Sequence, residues 1–238
     1  LMHILPPEFI EGGTAATIER LKGKANRDRL RDRMEKGGEG FDNIAGMVGW
    51  ENIIMSTLNT PANKRFEGMT VQDIAKARGT DPVDCVCDML IEENCAITMI
   101  DFITCEEDIA RILNCGFASV ISDSIYPASG RPHPRLYGTY ARIIQRFVGQ
   151  RRDMTLEAAV KAMTYAPAKA LNIADRGLLR EGLCADVNVF DPAEVKERGS
   201  YADPDKCAAG MDYVFVNGKP AIAAGELTGS AFGQVIRR

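Results

Sequence analysis

The stretch that decides the fold spans residues 96–122 and reads AITMIDFITCEEDIARILNCGFASVIS. Two short apolar runs, residues 96–102 and 118–122, flank a charged helical segment. Short apolar runs between polar residues are typical of strands buried on both faces. Strand, helix, strand, a long loop and then a helix at about residues 136–150 indicate a βαβα unit, which predicts parallel pairing between the strands.

The alternation continues on both sides of this stretch. Residues 52–58 predict a short strand, and residues 136–150 and 155–171 carry helical patterns. Beyond Gly182 the sequence changes to apolar runs around an Asn217-Gly218 turn, which predicts a small β module. The expected fold class is therefore α/β, with a β module at the C-terminal end.

Local signals predict where several helices begin and end. Thr70, Asp81 and Thr104 each stand just before a helical pattern, as N-cap residues do. Residues 14–36 predict a charged, solvated helix with Asn26 as a candidate N-cap and Gly37-Gly38 as its stop. Residues 1–7, which end in two prolines, predict the end of a strand meeting a loop, so the sequence is expected to begin within a fold.

Composition narrows the class of protein. With 45% hydrophobic residues the chain can bury a sizeable core, and a net charge of -4 argues against nucleic acid as a partner. No apolar stretch approaches the roughly 18 residues of a membrane span. Seven cysteines, an odd number, favour reduced thiols and a cytoplasmic location. Cys85 and Cys87 are interpreted as packing thiols in a helix rather than as metal ligands.

The candidate chemistry lies after the second apolar run. Working side chains in parallel α/β folds project from the C-terminal ends of strands, and Asp123 directly follows residue 122. Residues 124–135 form a long loop with Pro, Gly, His133, Arg131 and Arg135, and such loops are often functional. The structural alternatives are a turn or capping role for Asp123 and a hydrogen-bonding role for His133.

Other chemistries have little support in the sequence. Ser122 and Ser124 could suggest a nucleophile, but the G-x-S-x-G elbow is absent. Neither a G-x-G-x-x-G segment nor a Walker A segment is present, so nucleotide binding is not indicated. The chain has two histidines, which cannot form a three-histidine zinc site.

Several segments resemble the N-acyl-D-amino-acid deacylases, or D-aminoacylases, of the metal-dependent amidohydrolase superfamily. The resemblance rests on Ser122-Asp123, residues 133–140 (HPRLYGTY), residues 155–164 (TLEAAVKAMT), residues 185–192 (ADVNVFDP) and residues 216–218 (VNG). The Ser-Asp and His-Pro-Arg segments point to this branch, whereas the last two are shared across the superfamily. Ser124 departs from the family's glycine; serine is small enough for the turn to form, but a positive φ at this position would cost roughly 1 kcal/mol.

The resemblance implies a fold and a site. The complete enzyme is expected to have a (β/α)8 TIM-like barrel, with residues 1–181 as its C-terminal portion and residues 182–238 as part of a β-sandwich. Asp123 matches the catalytic carboxylate and is a candidate metal ligand. Arg135 matches the arginine for the substrate carboxylate, and His133 and Tyr137 are expected to shape the loop.

The family's His-x-His pair and metal-binding cysteine have no counterpart here. Zinc is therefore expected in the complete enzyme, with little or none bound by this chain alone, and the isolated chain is expected to be inactive. The expected substrate is an N-acyl-D-amino acid. The alternatives are a structural or assembly fragment and a cyclic-amide hydrolase of the dihydroorotase or hydantoinase type. Open strand edges predict a homo-oligomer or pairing with an N-terminal barrel half.

Overall fold

The computed structural model describes residues 1–37, 40–126 and 130–236 of the chain. The chain forms two compact units, Leu1–Ile103 with Tyr126–His133 and Thr104–Ile125 with Pro134–Arg238. The chain thus leaves the first unit after Ile103 and returns to it for one short segment. The boundary predicted between residues 181 and 182 stays a prediction.

The first unit is mainly helical around a two-stranded sheet. Its elements are α1 (Pro7–Ile10), α2 (Gly13–Lys22), α3 (Lys24–Lys36), α4 (Ile44–Val48), β1 (Ile53–Thr57), α5 (Val71–Arg78), α6 (Pro82–Glu92) and β2 (Thr98–Asp101). The Thr70 hydroxyl accepts the first-turn N–H of α5, and the Asp81 carboxylate accepts two N–H groups of α6. Both predicted N-caps are therefore confirmed.

Two predictions near the start of the chain are wrong. Residues 1–7 contain a 3-10 turn, Met2–Ile4, instead of the end of a strand. Residues 14–36 are helical as predicted but form two helices, α2 and α3, because the helix is interrupted at Gly23, which is the N-cap of α3. Asn26 is not the N-cap; its amide donates to the Arg20 carbonyl at 3.0 Å and closes the break. Gly37 ends α3 with φ 65° as predicted, and Gly38 lies outside the described residues.

The sheet of the first unit is antiparallel and pairs β1 with β2. The predicted parallel pairing of residues 96–102 with residues 118–122 is wrong for a different reason, because residues 118–122 form no strand in the described structure. Ile53 pairs with Asp101 and Met55 with Met99, and the register shifts between Met55 and Thr57. The order of strands and helices along a sequence indicates which elements form. The direction of pairing depends on contacts between residues distant in sequence, and the alternation pattern does not contain that information.

In the core of the first unit, α6 packs against α2, α3 and α5. Phe9, Met55 and Leu90 are fully buried, as are Cys85 and Cys87. The interpretation of these two cysteines as packing thiols is confirmed. Burial raises the pKa of Cys85 to about 11 and that of Cys87 to about 12, so both are protonated at neutral pH.

The second unit combines helices with an antiparallel β module. Its elements are α7 (Glu106–Leu113), α8 (Arg135–Arg142) with a π-helical continuation (Ile143–Gln150), α9 (Leu156–Met163), α10 (Tyr165–Ala170), β3 (Val187–Phe190), β4 (Met211–Val216), β5 (Lys219–Ala223) and β6 (Glu226–Leu227). The predicted cap at Thr104 is wrong by one residue, because Cys105 is the N-cap and α7 starts at Glu106. The Glu106 carboxylate pairs with Arg142, Arg146 and Arg151.

Residues 118–122 do not form the predicted strand. In the described part of the second unit, the Val120 N–H donates to the Ala162 carbonyl at 2.9 Å, and no strand pairs with this segment. Val120 is buried, whereas 65% of Ile121 is exposed. An apolar run becomes a strand only when another strand pairs with it, and the described residues supply none here.

The β module agrees with the sequence. Its strands are ordered β3-β4-β5-β6 and pair antiparallel. Asn217 and Gly218 connect β4 to β5 with φ 51° and 76°, the left-handed conformations that a tight hairpin turn requires. In the described part of the chain, no helix is both long and apolar enough to cross a membrane.

Candidate functional site

Two of the predicted site residues meet directly in the second unit. Asp123 lies in the extended segment after α7, and Arg135 is the first residue of α8. The Asp123 Oδ2 atom is 2.9 Å from Arg135 Nη2, with 72% and 40% of the two side chains exposed. The structure therefore forms an ion pair, accessible to solvent, between a carboxylate and a guanidinium that are separate in sequence.

The turn at this pair differs from the expectation. The positive φ is at Asp123, with a value of 46°, and not at Ser124. Aspartate tolerates the left-handed region better than most residues, so serine at position 124 does not carry the predicted strain. The Ser124 hydroxyl donates to the Arg135 carbonyl at 3.3 Å. Ser124 therefore joins the turn to the first residue of α8, where the guanidinium partner of Asp123 is attached.

His133 and Tyr137 fall on opposite sides of a unit boundary. Tyr137 is half-buried in the first turn of α8, where its N–H donates to the Pro134 carbonyl at 3.2 Å. His133 is half-buried and belongs to the segment that returns to the first unit. The structure thus brings Asp123, Arg135 and Tyr137 into one unit and places His133 in the other.

The described residues do not by themselves fit a zinc site. Within residues 1–37, 40–126 and 130–236, no three His, Cys, Asp or Glu side chains come together as a metal-binding group. The Asp123 carboxylate faces an arginine, and the thiols of Cys85 and Cys87 are held protonated by burial. Zinc sites need three or four converging donors, and cysteine binds as the thiolate.

The pairing of Asp123 with Arg135 was not predicted from the sequence. Each residue was singled out separately, Asp123 by its place after an apolar run and Arg135 by the resemblance. The signal available was opposite charge at the two ends of a loop rich in Pro and Gly. That signal is weak, because opposite charges at the two ends of a loop are common and do not show that the two side chains meet.

Comparison with known proteins assigns the family. The model of the amidohydrolase family, Amidohydro_3, matches residues 18–222. The chain is 35% identical over 173 residues to a D-aminoacylase of Alcaligenes xylosoxydans xylosoxydans, covering 73% of this chain and 34% of that protein. It is also 36% identical over 165 residues to an N-acyl-D-glutamate deacylase of the same organism, and this match covers 69% of this chain and 32% of that protein.

Solved structures agree with this assignment. A crystal structure of D-aminoacylase, described as defining a novel subset of amidohydrolases, superposes with a TM-score of 0.66 at 31% identity over 75% of this chain and 36% of that one. A second structure is that of N-acyl-D-glutamate deacylase from Bordetella bronchiseptica, complexed with zinc and a phosphonate inhibitor that mimics the tetrahedral intermediate. It superposes with a TM-score of 0.66 at 30% identity and covers 95% of this chain and 48% of that one.

The chain belongs to the amidohydrolase family. Within that family it is similar to D-aminoacylases and N-acyl-D-glutamate deacylases. It spans about a third of the length of the curated relatives it matches. The resemblance seen in the sequence is confirmed.

Proposed function

We propose that this chain is the C-terminal portion of an enzyme that hydrolyses the amide bond of N-acyl-D-amino acids. The products would be a carboxylate and a D-amino acid. The family match and the deacylase relatives support the reaction class. The observation that carries the assignment of residues is the Asp123–Arg135 ion pair, because it joins a proton-accepting group to a group that can bind the substrate carboxylate.

Asp123 is proposed as the general base and general acid. A carboxylate accepts a proton from the attacking water and can return it to the leaving nitrogen, which must be protonated before the amide bond breaks. The side chain is largely exposed in the described structure, so water can reach it.

Arg135 is proposed to bind the α-carboxylate of the substrate. A guanidinium can donate two parallel hydrogen bonds to a carboxylate, and this fixes the orientation of an acyl amino acid. An exposed ion pair is worth only about 0–1 kcal/mol, so a substrate carboxylate can displace Asp123 from Arg135. Substrate binding would then release Asp123 from its partner, and the released carboxylate could accept a proton from water.

Zinc is proposed as the cofactor of the complete enzyme. The similar N-acyl-D-glutamate deacylase was solved with zinc, whereas the described residues of this chain do not assemble a ligand set. We infer that the remaining ligands come from outside this chain, with Asp123 as the ligand that this chain would contribute. His133 and Tyr137 are proposed to shape the substrate loop.

Kinetics of the complete enzyme test the role of Arg135. Arg135→Ala should raise KM for linear N-acyl-D-amino acids at least about tenfold. It should have little effect on the corresponding carboxamides, which lack the α-carboxylate. The control is Arg198→Ala, which removes an exposed arginine of the second unit. Unchanged KM and kcat in Arg135→Ala would disprove the carboxylate-binding role, and a preference for cyclic amides would favour the dihydroorotase or hydantoinase type.

A partner is proposed for the apolar segment after α7. The exposed fractions of Phe117, Ile121 and Ile125 are 87%, 65% and 75%. Contiguous exposed apolar side chains mark interaction surfaces. We propose that a second copy of the chain, or the N-terminal barrel half, covers them and buries more than roughly 1,000 Å². Light scattering after size exclusion across a dilution series tests this, and a stable monomer at micromolar concentration would contradict it.

A cytoplasmic location is proposed from the cysteines. All seven are free thiols, at Cys85, Cys87, Cys95, Cys105, Cys115, Cys184 and Cys207. Reduced thiols persist in compartments that glutathione and thioredoxin keep reducing. Fractionation of cells that express the protein at its native level tests the location, and recovery outside the cytoplasmic fraction would contradict it.

A further inference from the structure

Strand β1 carries an irregularity at Ser56. Met55 pairs with Met99 and Thr57 pairs with Thr98, so Ser56 is an extra residue without a partner in the register of β2. Such a β-bulge leaves the backbone groups of the extra residue available and redirects its side chain. Bulges are frequent next to active sites, where they hold neighbouring segments in place.

Both backbone polar groups of Arg131 bind this bulge. The Arg131 N–H donates to the Ser56 carbonyl at 2.9 Å. The Ser56 hydroxyl donates to the Arg131 carbonyl at 2.5 Å. Ser56 is 5% exposed, so these bonds are shielded from competing water. One residue of β1 therefore fixes the position of a loop residue distant in sequence.

Gly130 lets the loop approach β1 this closely. A Cβ atom at Gly130 would lie 2.6 Å from Thr57 Oγ1 and 2.9 Å from the Ser56 carbonyl oxygen. Its φ of 93° is also unfavourable for any residue with a side chain. The contact between the loop and the bulge thus requires glycine at position 130.

The Arg131 side chain adds a contact with Gly68. A Cβ atom at Gly68 would lie 2.7 Å from Arg131 Nη1, so the guanidinium rests against a glycine backbone. The Gly68 N–H in turn donates to the Met55 carbonyl at 2.8 Å, which ties that backbone to the strand. The loop is therefore held to the first unit by its main chain and by the Arg131 side chain.

We propose that Ser56 is a positioning residue that holds the segment Gly130–Arg131 and thereby places His133, two residues later, for substrate binding. This inference rests on the proposed function, because it assigns His133 to the substrate loop. Pro132, between Arg131 and His133, has a fixed φ and limits the freedom of the link. The effect of Ser56 on the reaction is therefore indirect and acts on substrate binding.

Kinetics of the complete enzyme separate positioning from stability. Ser56→Ala removes the hydroxyl bond, and we expect KM for an N-acyl-D-amino acid to rise about fivefold while kcat stays within about twofold. Ser56→Thr keeps the hydroxyl and should recover most of the KM. The matched control is Thr17→Val, which removes a buried hydroxyl bond to Gly13 in the same unit but far from the loop in sequence. Its KM should not change.

Amide hydrogen exchange on the chain itself gives a readout that needs no substrate. In Ser56→Ala, and more strongly in Gly130→Ala, exchange should accelerate at the amides of residues 130, 131 and 133, while α2 keeps its protection. Equal amide exchange rates in the wild type and both variants would show that Ser56 and Gly130 do not hold this segment in place. Wild-type KM in Ser56→Ala of an active enzyme would refute the positioning role. Failure of the proposed function would appear separately, as an absence of N-acyl-D-amino-acid hydrolysis in the wild type.

Discussion

Glu93 offers the sharpest test of how the first unit is held together, because its buried carboxylate organises the chain after β1. Only 3% of the residue is exposed. Its Oε2 atom accepts the N–H groups of Asn59 at 2.6 Å and Thr60 at 3.0 Å, and its Oε1 atom accepts the Asn63 amide at 2.8 Å. Glu93→Gln keeps the shape of the side chain but replaces one acceptor oxygen with a donor.

The expected cost follows from these bonds. Whichever oxygen becomes nitrogen, at least one buried donor loses its acceptor, and an unsatisfied buried group costs about 1–3 kcal/mol. The assay is urea unfolding followed by the fluorescence of Trp50, the single tryptophan, which lies in the first unit. We expect a loss of about 2 kcal/mol in the free energy of unfolding. The control is Glu11→Gln, an exposed glutamate of the same unit; an equal effect in both variants would refute the reasoning.

The pH dependence of this effect has a definite sign. Burial raises the pKa of Glu93, but hydrogen bonds from Asn63, Asn59 and Thr60 outweigh it and lower the pKa below its usual value. A carboxyl whose pKa is lowered by folding stabilises the native state above its unfolded pKa, about 4.3, and loses that contribution as the pH falls through the folded value. The difference between wild type and Glu93→Gln should therefore shrink below about pH 4.

Three further predictions concern the β module, the thiols and the metal. Asn217→Ala should destabilise the second unit by about 1–2 kcal/mol, because it places alanine at positive φ and removes the hydrogen bond from the Asn217 amide to the Phe232 carbonyl. Urea unfolding measures this loss, and an unchanged unfolding midpoint would contradict the prediction. Ellman's reagent should modify exposed Cys105, Cys115 and Cys207 in the native chain but Cys85 and Cys87 only after denaturation, and rapid native labelling of α6 would refute its packing. Elemental analysis of the purified chain should find far less than one zinc per molecule, whereas stoichiometric zinc would reveal a ligand set that the described residues do not show.

Local features of the fold were predictable from the sequence. The caps at Thr70 and Asp81 and the Asn217-Gly218 turn depend on a few adjacent residues, and the structure has all three. Helix ends are less certain by one or two residues, as the start of α7 at Glu106 instead of after Thr104 illustrates.

Features that depend on distant contacts were not predictable. Residues 118–122 have the composition of a strand, but in the described structure their main chain meets Ala162 and no strand. The alternation pattern predicted that residues 96–102 would pair in parallel with residues 118–122, whereas the former pair antiparallel with β1. The hydrogen bonds between Ser56 and Arg131 were not predictable for the same reason, since a serine in a strand and an arginine in a loop carry no pattern that connects them.

The candidate site was predictable in part. The resemblance singled out Asp123 and Arg135, and the structure places them 2.9 Å apart. The backbone at Asp123 adopts φ 46°, whereas the resemblance had pointed to Ser124 as the position where a positive φ would be costly. Asparagine and aspartate adopt the left-handed conformation more readily than other residues with side chains. Because Asp123 has the positive φ, serine can replace the family's glycine at position 124 without backbone strain.

The most direct test of the central claim is the turnover of Asp123→Asn in the complete enzyme with an N-acyl-D-amino acid as substrate. Asparagine has nearly the shape of aspartate but cannot accept a proton from water, so kcat should fall at least about a hundredfold. The matched control, Asp212→Asn, changes an exposed aspartate on β4 and should keep wild-type kcat. If Asp123→Asn retained the turnover of this control, Asp123 would not be the catalytic carboxylate, and the account of the site would be wrong.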